Sequence, residues 1–315
     1  LSKLSKLSDY EMGKKGRITH PVVVKEGRNH YEEISWEDAF SMIGTTLKSL
    51  PSPDEAIFYT SGRTSNEAAF LYQLFVRKYG TNNLPDCSNM CHESSGVALT
   101  ETLGIGKGSV TLEDFNHAEL VIVMGQNPGT NHPRMLTALG ETKKRGGKII
   151  TINPLPEVGL MRYKDPQNPL KWIGKGQKLT DIFLQVKING DVALLKIILK
   201  LLWEKEQKSP GTIFDHEFIN SNTLGYDDFI KDLETYSIDE LIPQTGIDLK
   251  IIKEAATLIA AKKKIIICWA MGLTQHKNSV DNIREVVNLL LVKGSIGKQG
   301  AGTCPVRGHS NVQGD

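Results

Sequence analysis

Three short apolar runs, each closed by small or polar residues, restrict this chain more than any other feature. They are Leu120–Met124 (LVIVM), Lys148–Ile152 (KIITI) and Lys264–Trp269 (KIIICW), leading into Gly125-Gln126-Asn127-Pro128, Asn153-Pro154 and Met271-Gly272. Runs this short that do not alternate with polar residues are strands buried on both faces, the situation of a parallel sheet covered by helices. The stretches between them read as helices over 66–78, 132–144, 192–206, 249–261 and 279–292. Ser35 opens a further helix, with Asp38 at its third position in a variant of the capping box. Glu55–Thr60 (EAIFYT) reads as one more short strand, and Pro21–Lys25 as extended. The fold class that follows is α/β, with Rossmann-like parallel sheets flanked by helices.

Composition is that of an ordinary soluble protein, 39% hydrophobic and 23% charged over 315 residues, which is ample for a large core. With 38 basic against 36 acidic residues the formal charge is only +2, so nothing points to nucleic acid or an anionic membrane as partner. No run approaches the ~20 apolar residues that cross a bilayer, so no membrane span is expected. The polar, Lys-containing opening has no apolar core of a signal peptide. Four cysteines in a chain of this length are no disulfide framework and suit reduced thiols in a cytoplasmic protein.

The sharpest chemistry lies in Cys87-Ser88-Asn89-Met90-Cys91-His92-Glu93. Cys87 and Cys91, four apart, would share one face of a helix. Two thiols fall short of the four ligands of structural zinc, and no second pair supplies the rest. Cys91 and His92 are adjacent, so on a helix they point in different directions and cannot pair as nucleophile and base. That disfavours a thiol hydrolase. They could flank a third body, or be no more than a buried thiol beside a surface histidine.

Three loops suit an extended ligand carrying phosphates and ribose hydroxyls: Thr60–Glu67, Gly125–Pro133 and Ile152–Gly159. Ligands of parallel sheets bind at the carboxyl ends of strands, where these loops lie. None has the spacing G-x-G-x-x-G, so the ordinary dinucleotide fingerprint is missing. Gly104–Gly108 imitates it without a preceding strand and reads as a flexible turn. Near the end, Gly297–Gly302 and Arg307–Gly314 combine close-approach glycines with a guanidinium that can clamp an oxyanion by two parallel hydrogen bonds.

Taken together, these motifs resemble the molybdopterin oxidoreductase family, and within it the cytoplasmic, formate-dehydrogenase-like alpha subunits. The resemblance rests on Thr60–Glu67, Cys91–Gly96, Gly125–Pro128 with His132-Pro133, Met271–His276, Gly297–Gly302 and Arg307–Gly314, in that order, over residues 16 to the end. It implies a molybdenum atom held by two molybdopterin guanine dinucleotides. It implies that Cys91 is the protein ligand to the metal, His92 a proton acceptor near its ordinary pKa, and Arg307 the group that holds the substrate oxyanion. It further implies cofactor contacts at Ser61, Arg63, Asn66, Gly125, Asn127, Asn153, Asp191, Gly272, Gln275 and His276. Many relatives carry an acidic residue at the position of Asn153, where it would accept hydrogen bonds from the guanosine.

The reaction so implied is oxidation of formate to CO2. The alternatives are reduction of nitrate-type oxyanions or N-oxides, and a nucleotide-binding module without catalysis. A small-molecule substrate is expected, and an electron-accepting protein or subunit that the residues do not identify. The family's four-cysteine motif for a 4Fe-4S cluster has no counterpart before Cys87, so its segment either lies upstream of Leu1 or is not complete in this branch. The expected domains are an extended N-terminal segment over 1–35, the first part of an α/β cofactor domain over 36–86, and a second Rossmann-like cofactor domain over 87–308. Residues 309–315 would begin a return into the first, and a C-terminal domain closing over the pterins would lie beyond Asp315.

Overall fold

The computed structural model describes residues 1–85, 87–164, 174 and 176–309. The irregular stretch 155–178 is therefore described only in part, and the motif residues 310–314 lie outside the described residues. The chain divides into two units, one up to residue 85 and one from Cys87 onward.

In the first unit, Val22–Val23 and Glu32–Glu33 pair as an antiparallel ribbon. Helix α1 (Trp36–Ser49) starts where Ser35 accepts the Asp38 amide at 3.0 Å. Helix α2 (Asn66–Tyr79) starts at the Ser65 cap and ends at Gly80, whose φ of 115° lets its amide turn back to the Val76 carbonyl. A small core gathers around Phe58, whose ring meets Tyr72, Phe75 and Tyr79 edge-on. The expected strand at 55–60 is corrected: Pro53–Glu55 is a 3-10 turn, and only Thr60 makes an isolated bridge. Ala56 and Phe58 are buried while Ile57 and Tyr59 are exposed, so this segment covers one face only.

The second unit is built on five parallel strands: β1 (Leu120–Met124), β2 (Lys148–Ile152), β3 (Ile182–Leu184), β4 (Ile265–Trp269) and β5 (Gly302–Pro305). Their spatial order is β3-β2-β1-β4-β5, all neighbours parallel. Successive residues of β1 and β4 feed opposite faces, as the two-residue period of a strand requires. Leu120, Ile122, Met124, Ile265, Ile267 and Trp269 pack into one core, while Val121, Val123, Ile266 and Cys268 pack into the other.

Helices α3 (Cys87–Leu103), α5 (Asp191–Lys208), α6 (Leu249–Ala260) and α7 (Ser279–Val292) cover the first face, and α4 (Met135–Lys144) covers the second. The helix expected from about His132 to Lys144 starts three residues later, at Met135. A turn at Pro128–Asn131 and α4 flank His132, whose φ of −138° and ψ of 59° are non-helical because the residue before a proline is pushed out of the α region. Among the described residues no helix is long and apolar enough to cross a membrane.

Candidate cofactor site

The order β3-β2-β1-β4-β5 is that of the doubly wound dinucleotide-binding sheet, which has its crevice where the order reverses, between β1 and β4 at their carboxyl ends. Gly125 and Gly272 stand there. The Gly272 amide donates to the Gly125 carbonyl at 2.9 Å, and the Gly125 amide to the Ile152 carbonyl at 3.0 Å. A Cβ on Gly125 would come within 2.7 Å of the Gly272 main chain, and Gly125 has a φ of 54°. Both loops therefore approach backbone to backbone, which only glycine permits.

The loop after β4 also grips the turn that carries the candidate ligand. Thr274 donates its hydroxyl to the Cys91 carbonyl at 2.6 Å, and the Gln275 amide donates to the Met90 carbonyl. Cys91 is half-buried in α3. Burial raises its thiol pKa, the nearby Cys87 raises it further, and Arg307 opposes both. Arg307 follows β5, which is carried past β4 by the Val306 amide donating to the Trp269 carbonyl at 2.8 Å. Burial lowers the guanidinium pKa and Cys91 restores part of it. The structure thus brings Cys91 and Arg307 within electrostatic reach across more than two hundred positions of sequence.

His92 stands at a kink in α3, with φ −136° and ψ 19°, and is only 3% exposed. Its Nδ1 lies 3.0 Å from the Ser95 hydroxyl and its Nε2 lies 3.1 Å from the Val306 carbonyl. The Trp269 indole, a donor only, donates to the same Ser95 oxygen at 2.9 Å. The Val306 carbonyl only accepts, so the His92 proton sits on Nε2 and Ser95 donates to Nδ1. Burial first, and then Arg307, push the His92 pKa down to about 4. The sequence reading placed it near its ordinary value; desolvation of the cation is the reason it is not.

The remaining expected contacts are spread over both units. Ser61 and Arg63 lie in the loop before α2, joined by the Arg63 amide donating to the Ser61 hydroxyl at 3.4 Å, and Asn66 is the first residue of α2. These three belong to the first unit. In the second, Asn127 caps the turn after β1 by accepting the Thr130 amide at 3.2 Å. Asn153 is buried at the end of β2 and donates to the Leu155 carbonyl at 2.9 Å. Asp191 opens α5, 4% exposed, its carboxyl pushed up to about 6 by burial against the opposing pull of His276. His276 reaches back to the Gly272 carbonyl at 2.7 Å. Sequence reasoning missed Ser95, Trp269 and Thr274, which hold the turn of Cys91 and His92, because a lone Ser, Thr or Trp carries no spacing signal.

The molybdopterin oxidoreductase family model matches residues 17–314. The chain belongs to that family. An uncharacterized oxidoreductase, Rv2900c of Mycobacterium tuberculosis, is 52% identical over 315 residues, covering 100% of this chain and 40% of that protein. An F420-dependent formate dehydrogenase 1 subunit alpha of Methanococcus maripaludis is 30% identical over 299 residues, 95% of this chain and 40% of that protein. The chain thus spans about two fifths of the length of these relatives. Among solved structures, acetylene hydratase from Pelobacter acetylenicus superposes with a TM-score of 0.68 at 21% identity, over 91% of this chain and 36% of that one, which shows the shared fold.

The family implies a molybdenum–pterin cofactor, and the residues present fit one. Among the described residues no group of three or more His, Cys, Asp or Glu could hold a metal ion. Cys91 offers one soft thiol, whose raised pKa a bound cation would reverse. Gln126 Oε1, His132 Nε2 and Arg307 Nε are buried without a hydrogen-bond partner among the described residues, as befits groups that meet a ligand.

Proposed function

We propose that this chain is the cofactor-cradling part of a molybdenum-dependent oxidoreductase that oxidises formate to CO2 at a bis-molybdopterin guanine dinucleotide site. The observation that carries the reading is the convergence of Cys91 and Arg307 at the carboxyl edge of the sheet, where Arg307 Nε is buried without a hydrogen-bond partner among the described residues. The similarity to a formate dehydrogenase alpha subunit supports the choice of substrate.

When bound, the cofactor supplies a two-electron acceptor, so that formate yields CO2, two electrons and one proton. Arg307 binds the formate oxygens and keeps the carboxylate oriented. Cys91 holds the metal as a thiolate. His92 takes the proton at Nδ1 once the Ser95 hydroxyl turns from donor to acceptor, a rotation its two lone pairs permit while Trp269 stays bonded. Gly125, Asn127, Gly272, Gln275 and His276 would contact the dinucleotide in the crevice, and Asn153 and Asp191 would be further cofactor contacts. Ser61, Arg63 and Asn66 would be cofactor contacts in the same reading. A 4Fe-4S cluster held by residues outside this sequence and an electron-accepting protein or subunit belong to the same reading. The cytoplasmic setting belongs to the same reading, and four cysteines in a chain of this length, too few for a disulfide framework, support it.

The test is metal and pterin analysis of the full-length protein produced with molybdate, followed by dye reduction with formate. Molybdenum, pterin and formate-dependent reduction are the expected result. A loaded enzyme that ignores formate and consumes nitrate would transfer the assignment to oxyanion reduction. A protein that purifies without metal or pterin would reduce it to a binding module.

A further inference from the structure

His132 belongs to a motif, His132-Pro133, that no role assigned so far has used. Pro133 keeps His132 out of the helix, so its side chain leaves the chain between the turn at Pro128–Asn131 and α4. The buried Gln126, 3% exposed, directs its amide nitrogen at two groups, His132 Nδ1 at 3.3 Å and Met135 Sδ at 3.1 Å. A thioether only accepts, so this end of the amide is the donor, and His132 Nδ1 must accept from it. The imidazole proton is thereby held on Nε2. That N–H is buried and has no partner among the described residues.

A second buried donor without a partner among the described residues is Arg307 Nε, and the Arg307 main chain lies against His132. His132 Nε2 lies 3.8 Å from where a Cβ on Gly308 would sit, and His92 feels the charge of both Arg307 and His132. Burial lowers the His132 pKa, with the Arg307 main chain acting the other way. Two buried donors without a hydrogen-bond partner among the described residues, and a glycine that leaves the space beside His132 open, describe a receptor for a small anion. The imidazole of His92 is not available in the same way, because both its nitrogens are bonded within the protein.

We propose that His132 is a substrate-binding residue, its Nε2–H donating a second hydrogen bond to the oxyanion that Arg307 clamps. The inference rests on the reading of this site as the place where a small planar oxyanion binds. It adds that Gln126 acts as a positioning residue by fixing the imidazole tautomer, and that selection for an oxygen-bearing anion is shared between two elements, the loop after β1 and the loop after β5.

The experiment measures nitrate binding by calorimetry to the oxidised, cofactor-loaded full-length enzyme, which has no electrons with which to reduce it. His132→Phe is expected to weaken nitrate about tenfold or more, the effect of losing one hydrogen bond to a charged group. KM for the oxyanion substrate should rise with it by a similar factor, and kcat should change less. His132→Gln, which can place an amide N–H near the Nε2 position, is expected to recover part of the affinity. If His132→Phe loses the cofactor, Gly308→Ala provides the reading, since its methyl occupies the space beside Nε2 without touching Cys91. It too should weaken nitrate. Wild-type affinity in a cofactor-loaded His132→Phe, or in Gly308→Ala, overturns the role of His132 and leaves the Cys91–Arg307 reading standing. A loaded wild-type enzyme that binds neither nitrate nor formate overturns both.

Discussion

Ser95 stands 3.0 Å from His92 Nδ1 and donates its hydroxyl to it, because the Val306 carbonyl holds the imidazole proton on Nε2, while the same hydroxyl oxygen accepts from the Trp269 indole. This buried triad sets the tautomer of His92 and directs its Nε2 proton at Val306, next to Arg307 in sequence. It follows that His92 cannot be read as a freely titrating imidazole.

Ser95→Ala is expected to lower turnover about tenfold, the loss usual when a group that orients a functional imidazole is removed, with metal content unchanged. It also strands the Trp269 N–H, at a cost of about 1–3 kcal/mol. Steady-state kinetics and a thermal midpoint on the same preparation check both effects. Unaltered turnover would remove Ser95 from the proton path.

Gly125→Ala is expected to damage the crevice more than an ordinary left-handed glycine would. Its Cβ would meet the Gly272 main chain at 2.7 Å, in addition to about 1–2 kcal/mol for a side chain at positive φ. Gly146, φ 89° with nothing within 4 Å, is the control that carries backbone strain alone. Gly125→Ala should lower the thermal midpoint further than Gly146→Ala and lose pterin, both read on the full-length protein. Equal effects would show that the two loops do not depend on their close approach.

Asp191→Asn should separate stability from cofactor binding. The carboxyl titrates at about 6 in the fold and near 3.8 unfolded, so the native state holds a proton that the unfolded state releases. Stability from this group is full below 3.8 and is lost as pH rises through 6, a penalty on the order of 3 kcal/mol at most. In cofactor-free protein at pH 7.5, Asp191→Asn is expected to raise the thermal midpoint, and at pH 4 to leave it unchanged. In loaded protein the same change should weaken guanine dinucleotide retention. A midpoint shift that is the same at both pH values would contradict the buried titration.

Much of the sheet was legible in the sequence, for a physical reason. Leu120–Met124, Lys148–Ile152 and Ile265–Trp269 are continuous apolar runs, and burial on both faces of a parallel sheet leaves no other pattern. The strands β3 and β5 were not legible, because Ile182–Leu184 is too short and Gly302–Pro305 has the composition of a loop. Yet β5 is what delivers Arg307, as its register against β4 continues into the Val306–Trp269 hydrogen bond. The candidate ligand Cys91 could be picked out by residue type. The state of His92 could not, since it depends on Ser95, Trp269 and Val306, which only the fold assembles. His132 was visible as a motif, and its significance depended on Pro133 keeping it out of the helix, which starts at Met135.

The central claim, that Cys91 is the protein's ligand to a molybdenum carried by pterins, is tested most directly by molybdenum X-ray absorption on the full-length enzyme and its Cys91→Ser variant. The account predicts molybdenum in both, with one sulfur fewer around the metal in the variant. An identical sulfur shell in the two proteins would contradict it.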